Sequence, residues 1–264
     1  MNIFFREMKA NRRALIIWCT CMIVVVLSGM AKYTVYSSGE ASSQVIQDLP
    51  QSVKALLGMG SLDVTTMSGF FALLFLYIAV AAAIHAAILG GGILAKEERD
   101  KTTEFLIVKP VSRSTIITSK LLAALVTITI LNIVTLVASI GMVAQYNKEK
   151  DITGEIVVFF LSMCIIQLIF LSLGALLSAF MRNPKGAGSI VSSIVIAAYI
   201  ISEITSFNDH LNILNVLSPF KYFSYNRIIE GNGLNPGISV LSIMLVAVFT
   251  ASTYFFYEKR DLSV

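Results

Sequence analysis

Residues 64–95 read VTTMSGFFALLFLYIAVAAAIHAAILGGGILA and contain no Asp, Glu, Lys or Arg. A helix needs about 20 apolar residues to cross the hydrocarbon core of a bilayer, so this run alone is long enough to span one. Working outward from it, charge-free runs recur at 14–31, 121–147, 156–181, 186–202 and 231–257. Six spans result. Every backbone N–H and C=O inside a bilayer must be paired internally, and runs this continuous do so as helices, whereas barrel strands would alternate in segments of about 10 residues. Composition agrees: 56% of residues are hydrophobic and 14% charged, against about 25% charged in soluble domains, and the mean hydropathy is +0.79. The expected fold class is an all-α integral membrane protein, with residues 1–264 forming one transmembrane domain. No connection is long enough to fold alone.

Lys and Arg in the connections set the orientation. Six spans put both termini on one side, and that side carries 14 of the basic residues against 6 on the other. Both termini are expected to face the cytoplasm. Topology accounts for the net charge of +4, so the basic residues give no case for nucleic acid. Residues 1–13 read as an amphipathic helix on the inner surface, with Ile3, Phe4, Phe5 and Met8 toward lipid and Arg6, Lys9, Arg12 and Arg13 near headgroups. A signal peptide is the other reading, but no small-residue cleavage site follows. On the outer side, 207–237 is too long for a structureless loop in a compact protein. Short interfacial or re-entrant helices, interrupted at Pro219 and Gly231, are expected there.

The chain lacks the residues of an enzyme. Gly90-Gly91-Gly92 and Gly186-Ala187-Gly188 are not followed by the Gly-Lys pair of a phosphate-binding loop. They read instead as close-approach positions between helices, where small residues let backbones touch, or as a hinge. Glu97-Glu98 has Thr102 where a prenyl-processing protease would have Arg, and neither a serine elbow nor a His-Glu-x-x-His pair occurs. Cys19, Cys21 and Cys164 all fall in spans and read as small buried hydrophobes, and no metal site is expected. Intramembrane polar residues are functional candidates by default, here His85, Asn132, Gln167 and Glu203. His85 on an Ala-rich face reads as an interhelical hydrogen-bond donor, and Glu203 as a carboxylate near the outer mouth, either in water or facing a cationic substrate group.

Between spans two and three lies a dense charged block, 96–120. Phe105 and Leu106, flanked by Glu104 and Arg113, offer an apolar anchor with a charged rim, which suits a protein partner; a solvated turn is the alternative. Ser112, two residues after Pro110, is placed to cap the helix that becomes span three. The run Glu98-Arg99-Asp100-Lys101-Thr102-Thr103-Glu104-Phe105-Leu106-Ile107-Val108-Lys109-Pro110-Val111-Ser112-Arg113, followed by Lys120, resembles the signature of type-2 ABC (ATP-binding cassette) transporter permeases, with Lys101 where that family often has Gly. Leu217-Ser218-Pro219-Phe220-Lys221-Tyr222-Phe223 and the ending Tyr257-Glu258-Lys259-Arg260-Asp261-Leu262 resemble it too.

The resemblance implies a bacterial peptide or drug exporter subunit in the plasma membrane. It implies two permease copies as a homodimer and two copies of a separate cytoplasmic ATPase that holds MgATP, this chain holding no cofactor. Glu98, Glu104, Phe105, Leu106, Pro110, Arg113 and Lys120 would couple to the ATPase through a short cytoplasmic coupling helix near 102–108, between spans two and three, with Glu98 and Lys120 bridging those spans. Spans one and five would pair the copies, and Phe70, Phe71, Phe75, Tyr77, His85, Tyr199 and Glu203 make up the candidate substrate path, for an amphipathic or hydrophobic cargo such as an antimicrobial or toxin peptide or a drug. A nucleotide-independent secondary transporter or channel, and a non-transporting membrane scaffold, are the alternatives.

Overall fold

The computed structural model describes residues 3–34, 50, 62–95, 112–147, 151–181, 186–205 and 214–259. Six helices are long and apolar enough to cross a membrane: α1 (Ile3–Met30), α2 (Met67–Ile93), α3 (Arg113–Tyr146), α4 (Thr153–Phe180), α5 (Ala187–Thr205) and α7 (Pro236–Lys259). A 3-10 turn (Pro219–Tyr222) and the short α6 (Tyr225–Ile229) lie between α5 and α7. Among the described residues there is no strand, so the all-helical membrane fold stands.

Helix starts follow local chemistry. Ser112 accepts a hydrogen bond from the Thr115 N–H as the N-cap of α3, as its place after Pro110 predicts. Two matched turns open α2 and α4: Asp63 takes the Thr65 N–H (3.0 Å) and hydroxyl (2.6 Å), and Asp151 takes those of Thr153 (2.9 and 2.6 Å). These two hydrogen bonds hold the Asp151 carboxyl below its ordinary pKa. Asn235 and Pro236 start α7, the Asn235 amide oxygen accepting the Gly237 N–H at 3.0 Å, with Pro at the first helical position where a missing N–H costs nothing.

The centre of the bundle is the α2/α4 pair. In their most apolar windows 67% of α2 and 61% of α4 is buried, against 17% of α1 and 11% of α7. Glycine makes this possible: a Cβ on Gly174 would meet the Gly91 N at 2.7 Å, one on Gly90 would strike the Leu171 carbonyl, and one on Gly91 would strike Gly188 of α5. The backbones of α2, α4 and α5 therefore touch at one crossing, which is the close-approach reading of both glycine clusters.

The start of α1 and the end of α7 lie at the same end of the bundle, here called the base. Ile3 packs on Ile116 near the start of α3, and Arg113 reaches the last turn of α7. The opposite end is the top. One expectation changes here. Residues 3–13 are not set off as a separate interfacial element, because α1 is one continuous helix over Ile3–Met30. Ile3 and Glu7 are buried, and Met8 accepts a weak hydrogen bond from Thr127 of α3 (3.8 Å).

Candidate functional site

Two regions put charge inside this apolar bundle. At the base, Lys120 is fully buried. Its ammonium donates to the Ile93 carbonyl at 2.5 Å and lies 3.8 Å from Glu7 Oε1, while Arg6 stands 3.9 Å from the same carboxylate. Ile93 is the last residue of α2, and the final carbonyls of a helix lack intrahelical donors and carry partial negative charge. One lysine thus satisfies a helix end and an acid together, joining α1, α2 and α3 where the chain leaves α2. Arg113 works similarly on α7: its guanidinium donates to the carbonyls of Glu258 (2.9 Å) and Tyr257 (3.3 Å). Beside it the Thr118 and Tyr254 hydroxyls are 2.7 Å apart.

Of the residues read as coupling positions, Arg113 and Lys120 are therefore helix-end clamps within the chain. Glu98, Glu104, Phe105, Leu106 and Pro110 lie outside the described residues, and so does the Glu98 half of the expected Glu98–Lys120 bridge. The acid described beside Lys120 is Glu7, which sequence reading passed over. Its signal was present, since Glu7 is the sole acidic residue among the first 39.

The second region is the segment returning from α5 to α7. Ser218 donates to the Ala198 carbonyl of α5 (2.8 Å), and the Tyr222 hydroxyl closes a local loop on the Val216 carbonyl (2.6 Å). Phe220, buried, lies 5.9 Å from the ring of Phe170 in α4 and 6.1 Å from Tyr199 in α5. Tyr225 then sits against Phe75 (6.3 Å) and Phe159 (5.9 Å).

Depth follows from helix register at 1.5 Å per residue. Measured from the glycine crossing at Gly91, Gly174 and Gly188, Phe170 and Tyr199 stand about 6 and 16 Å toward the top, and Phe75 and Phe159 about 24 and 22 Å. The first residue of α2 stands about 36 Å up. The chain therefore leaves α5, dips about 20 Å below the top of α2 at Phe220, and climbs again to Tyr225. Short helices broken near Pro219, and at Gly231 with φ 79°, were the expectation for this stretch.

The same register places Tyr77 and Glu203 about 21 and 22 Å above the crossing, roughly 15 Å below the top of α2. Glu203 interacts electrostatically with Lys221, and with Tyr199 and Tyr225. Tyr199 in turn feels Tyr77. Tyr77, Tyr199 and Glu203 are thus brought together, and Lys221 and Tyr225 join them. Glu203 stands two residues before the last residue of α5, at the top end of that helix.

The other candidates lie elsewhere. Phe71 and Phe75 are fully buried, packed on Phe159. Phe70 is buried against Tyr33 at 5.3 Å. All three fill the core of the bundle. His85 is buried with its ring 5.2 Å from Trp18, and its Nδ1 has no hydrogen-bond partner among the described residues. Instead of the expected hydrogen bond it makes an aromatic contact between α1 and α2. Asn132 and Gln167 do bond each other across α3 and α4 at 2.7 Å, and Gln167 reaches the Ala82 carbonyl of α2 at 3.5 Å. Cys21 is exposed on α1, while Cys19 and Cys164 are half-buried, so only the latter two approach the buried role expected of all three.

A bundle of six spanning helices, with the start of α1 and the end of α7 at one side and a polar cluster toward the other, has the form of a polytopic transport subunit. The family described as ABC-2 family transporter protein matches residues 1–262, and the chain belongs to that family. It is therefore a multi-pass membrane permease subunit of an ABC transporter, the transmembrane part rather than the ATPase, and the family implies an ABC ATPase as partner. No curated protein sequence matches the chain.

Proposed function

We propose that this chain is the permease half of a bacterial exporter, working as a homodimer in the plasma membrane with its termini cytoplasmic. Two copies of a separate ATPase, each holding MgATP, dock on the 96–120 segment, and the complex moves an amphipathic or hydrophobic cargo outward, an antimicrobial or toxin peptide or a drug. Peptide export and antibiotic resistance are the physiological roles that fit. The observation that carries the reading is the clamp at Lys120. It ties the last carbonyl of α2 to α3, so the segment between these helices leaves and re-enters the bundle at one fixed point. A push on such a segment reaches α2 and α3 together instead of being absorbed at a loose loop end. The predominance of basic residues on the side holding the termini supports the orientation, and resemblance supports pairing through spans one and five.

The experiment is ATP hydrolysis in nanodiscs by the chain purified with its ATPase, wild type against Phe105→Ala/Leu106→Ala. Hydrolysis that responds to added cargo and falls at least tenfold in the double variant is expected. Hydrolysis indifferent to the variant would remove the docking role, and failure of any ATPase to copurify would return the chain to the nucleotide-independent readings.

A further inference from the structure

Glu203 is a half-buried carboxylate on a spanning helix with no close partner among the described residues. An ionised carboxylate even partly taken out of water is costly unless paired, and ionisable residues within spanning helices are functional candidates by default. At the base this cost is met, Glu7 having Lys120 and Arg6 within 4 Å. Glu203 makes no hydrogen bond or ion pair among the described residues. Its nearest cationic neighbour, Lys221, acts at longer range and has further interactions of its own. The carboxylate is half-buried, as is Tyr199, while Tyr77 is 45% exposed. A negative group and two phenol rings therefore border an open face between α2 and α5.

That face continues toward the base as an apolar stripe. On α2 the positions below Tyr77 that are not buried include Ala81, Ile84 and Ile88, three or four residues apart and so on one side of the helix. On α5, Ile196 is 48% exposed and Ile200 50%. Tyrosine faces attract cations through the ring quadrupole, more strongly where water is excluded, and a carboxylate supplies the countercharge.

We propose that Glu203, with Tyr77 and Tyr199, binds the head of a monovalent organic cation whose apolar body lies along the α2/α5 stripe. This deepens the exporter reading and rests on it for its transport role: the cargo is a cationic amphiphile, held about 15 Å below the top of α2. Lys221 sets a limit on the site, since a second positive charge on the cargo would meet it, and dications are disfavoured.

Direct binding tests this without nucleotide. The full complex in nanodiscs is titrated with tetraphenylphosphonium and with tetraphenylborate, which share shape and differ in charge sign. Saturable binding of the cation alone is expected, weakened at least tenfold by Glu203→Gln, partly kept by Glu203→Asp, and weakened several-fold by Tyr77→Ala, a partly exposed position whose change leaves the core intact. Equal binding of both ions, or affinity unchanged in both Glu203→Gln and Tyr77→Ala, would overturn the site. Saturable, Glu203-dependent cation binding in a chain that couples to no ATPase would uphold the site and remove the transport reading. Cargo-responsive hydrolysis with no saturable cation binding would do the reverse.

Discussion

The base and the return segment answer the same problem, a charged side chain among hydrocarbon, in opposite ways. Lys120 at the base is saturated, holding an acid and a helix-end carbonyl. Glu203, near the top end of α5, has only long-range company. Saturation makes a charge structural, because nothing remains for a ligand to satisfy. An unsaturated charge leaves capacity that a ligand can fill, which is the basis of the proposal for Glu203.

The comparison can be broken most forcefully at Lys120. Replacing it with Ala strands Glu7 in the interior, and breaking a buried pair from one side costs about 3–5 kcal/mol. Thermal unfolding of the purified protein should show a large loss for Lys120→Ala and a much smaller one for Lys120→Met/Glu7→Gln, in which no charge is stranded. Equal losses would mean that packing, not charge pairing, dominates the base. A middle-sized effect belongs to the glycine crossing. Gly174→Ala drives a methyl toward the Gly91 backbone, an overpacking expected to cost about 1–3 kcal/mol; Gly92→Ala, with nothing within 4 Å, is the control and should be neutral. The smallest effect is at the top of α4. The Asp151 carboxyl is held below its ordinary pKa by Thr153, so its contribution is present above the unfolded value of about 3.9 and fades as pH falls through the lower folded value. Wild type should therefore lose slightly more stability than Asp151→Asn below about pH 4; parallel pH profiles would remove this role.

Much of the fold was legible because lipid is an uncompromising solvent: charge-free runs had to be helices, and each run falls in one of the six spans, although α1 and α3 begin 11 and 8 residues before their runs. Ser112, Pro219 and Gly231 were legible because capping and breaking are local. The site was legible only in part. Tyr77, Tyr199 and Glu203 could be named as polar or aromatic residues in spans, but their meeting depends on the register of α5 against α2. That register is set by the Gly91/Gly188 contact, which no periodicity encodes. Phe71 and Phe75 look no different from Tyr77 in sequence, yet lie on the α4 side of α2 and pack on Phe159. Glu7 escaped notice because its partner is more than 100 residues away, and the continuity of α1 escaped because basic residues at a span end read equally as an interfacial helix or as the first turns of the span itself.

Unequal helix lengths have a consequence for the surrounding lipid. At 1.5 Å per residue α5 covers about 28 Å and α3, with 34 residues, about 51 Å, so one matches a hydrocarbon thickness of about 30 Å and the other must lean or project. The apolar belt around the protomer is therefore not a ring of constant height but a slope, lowest along α5. Acyl chains stretch or shorten to follow that slope at a cost that grows with each ångström of mismatch. Bilayer thickness thus acts unevenly on this molecule, most where α3 overshoots it and least along α5.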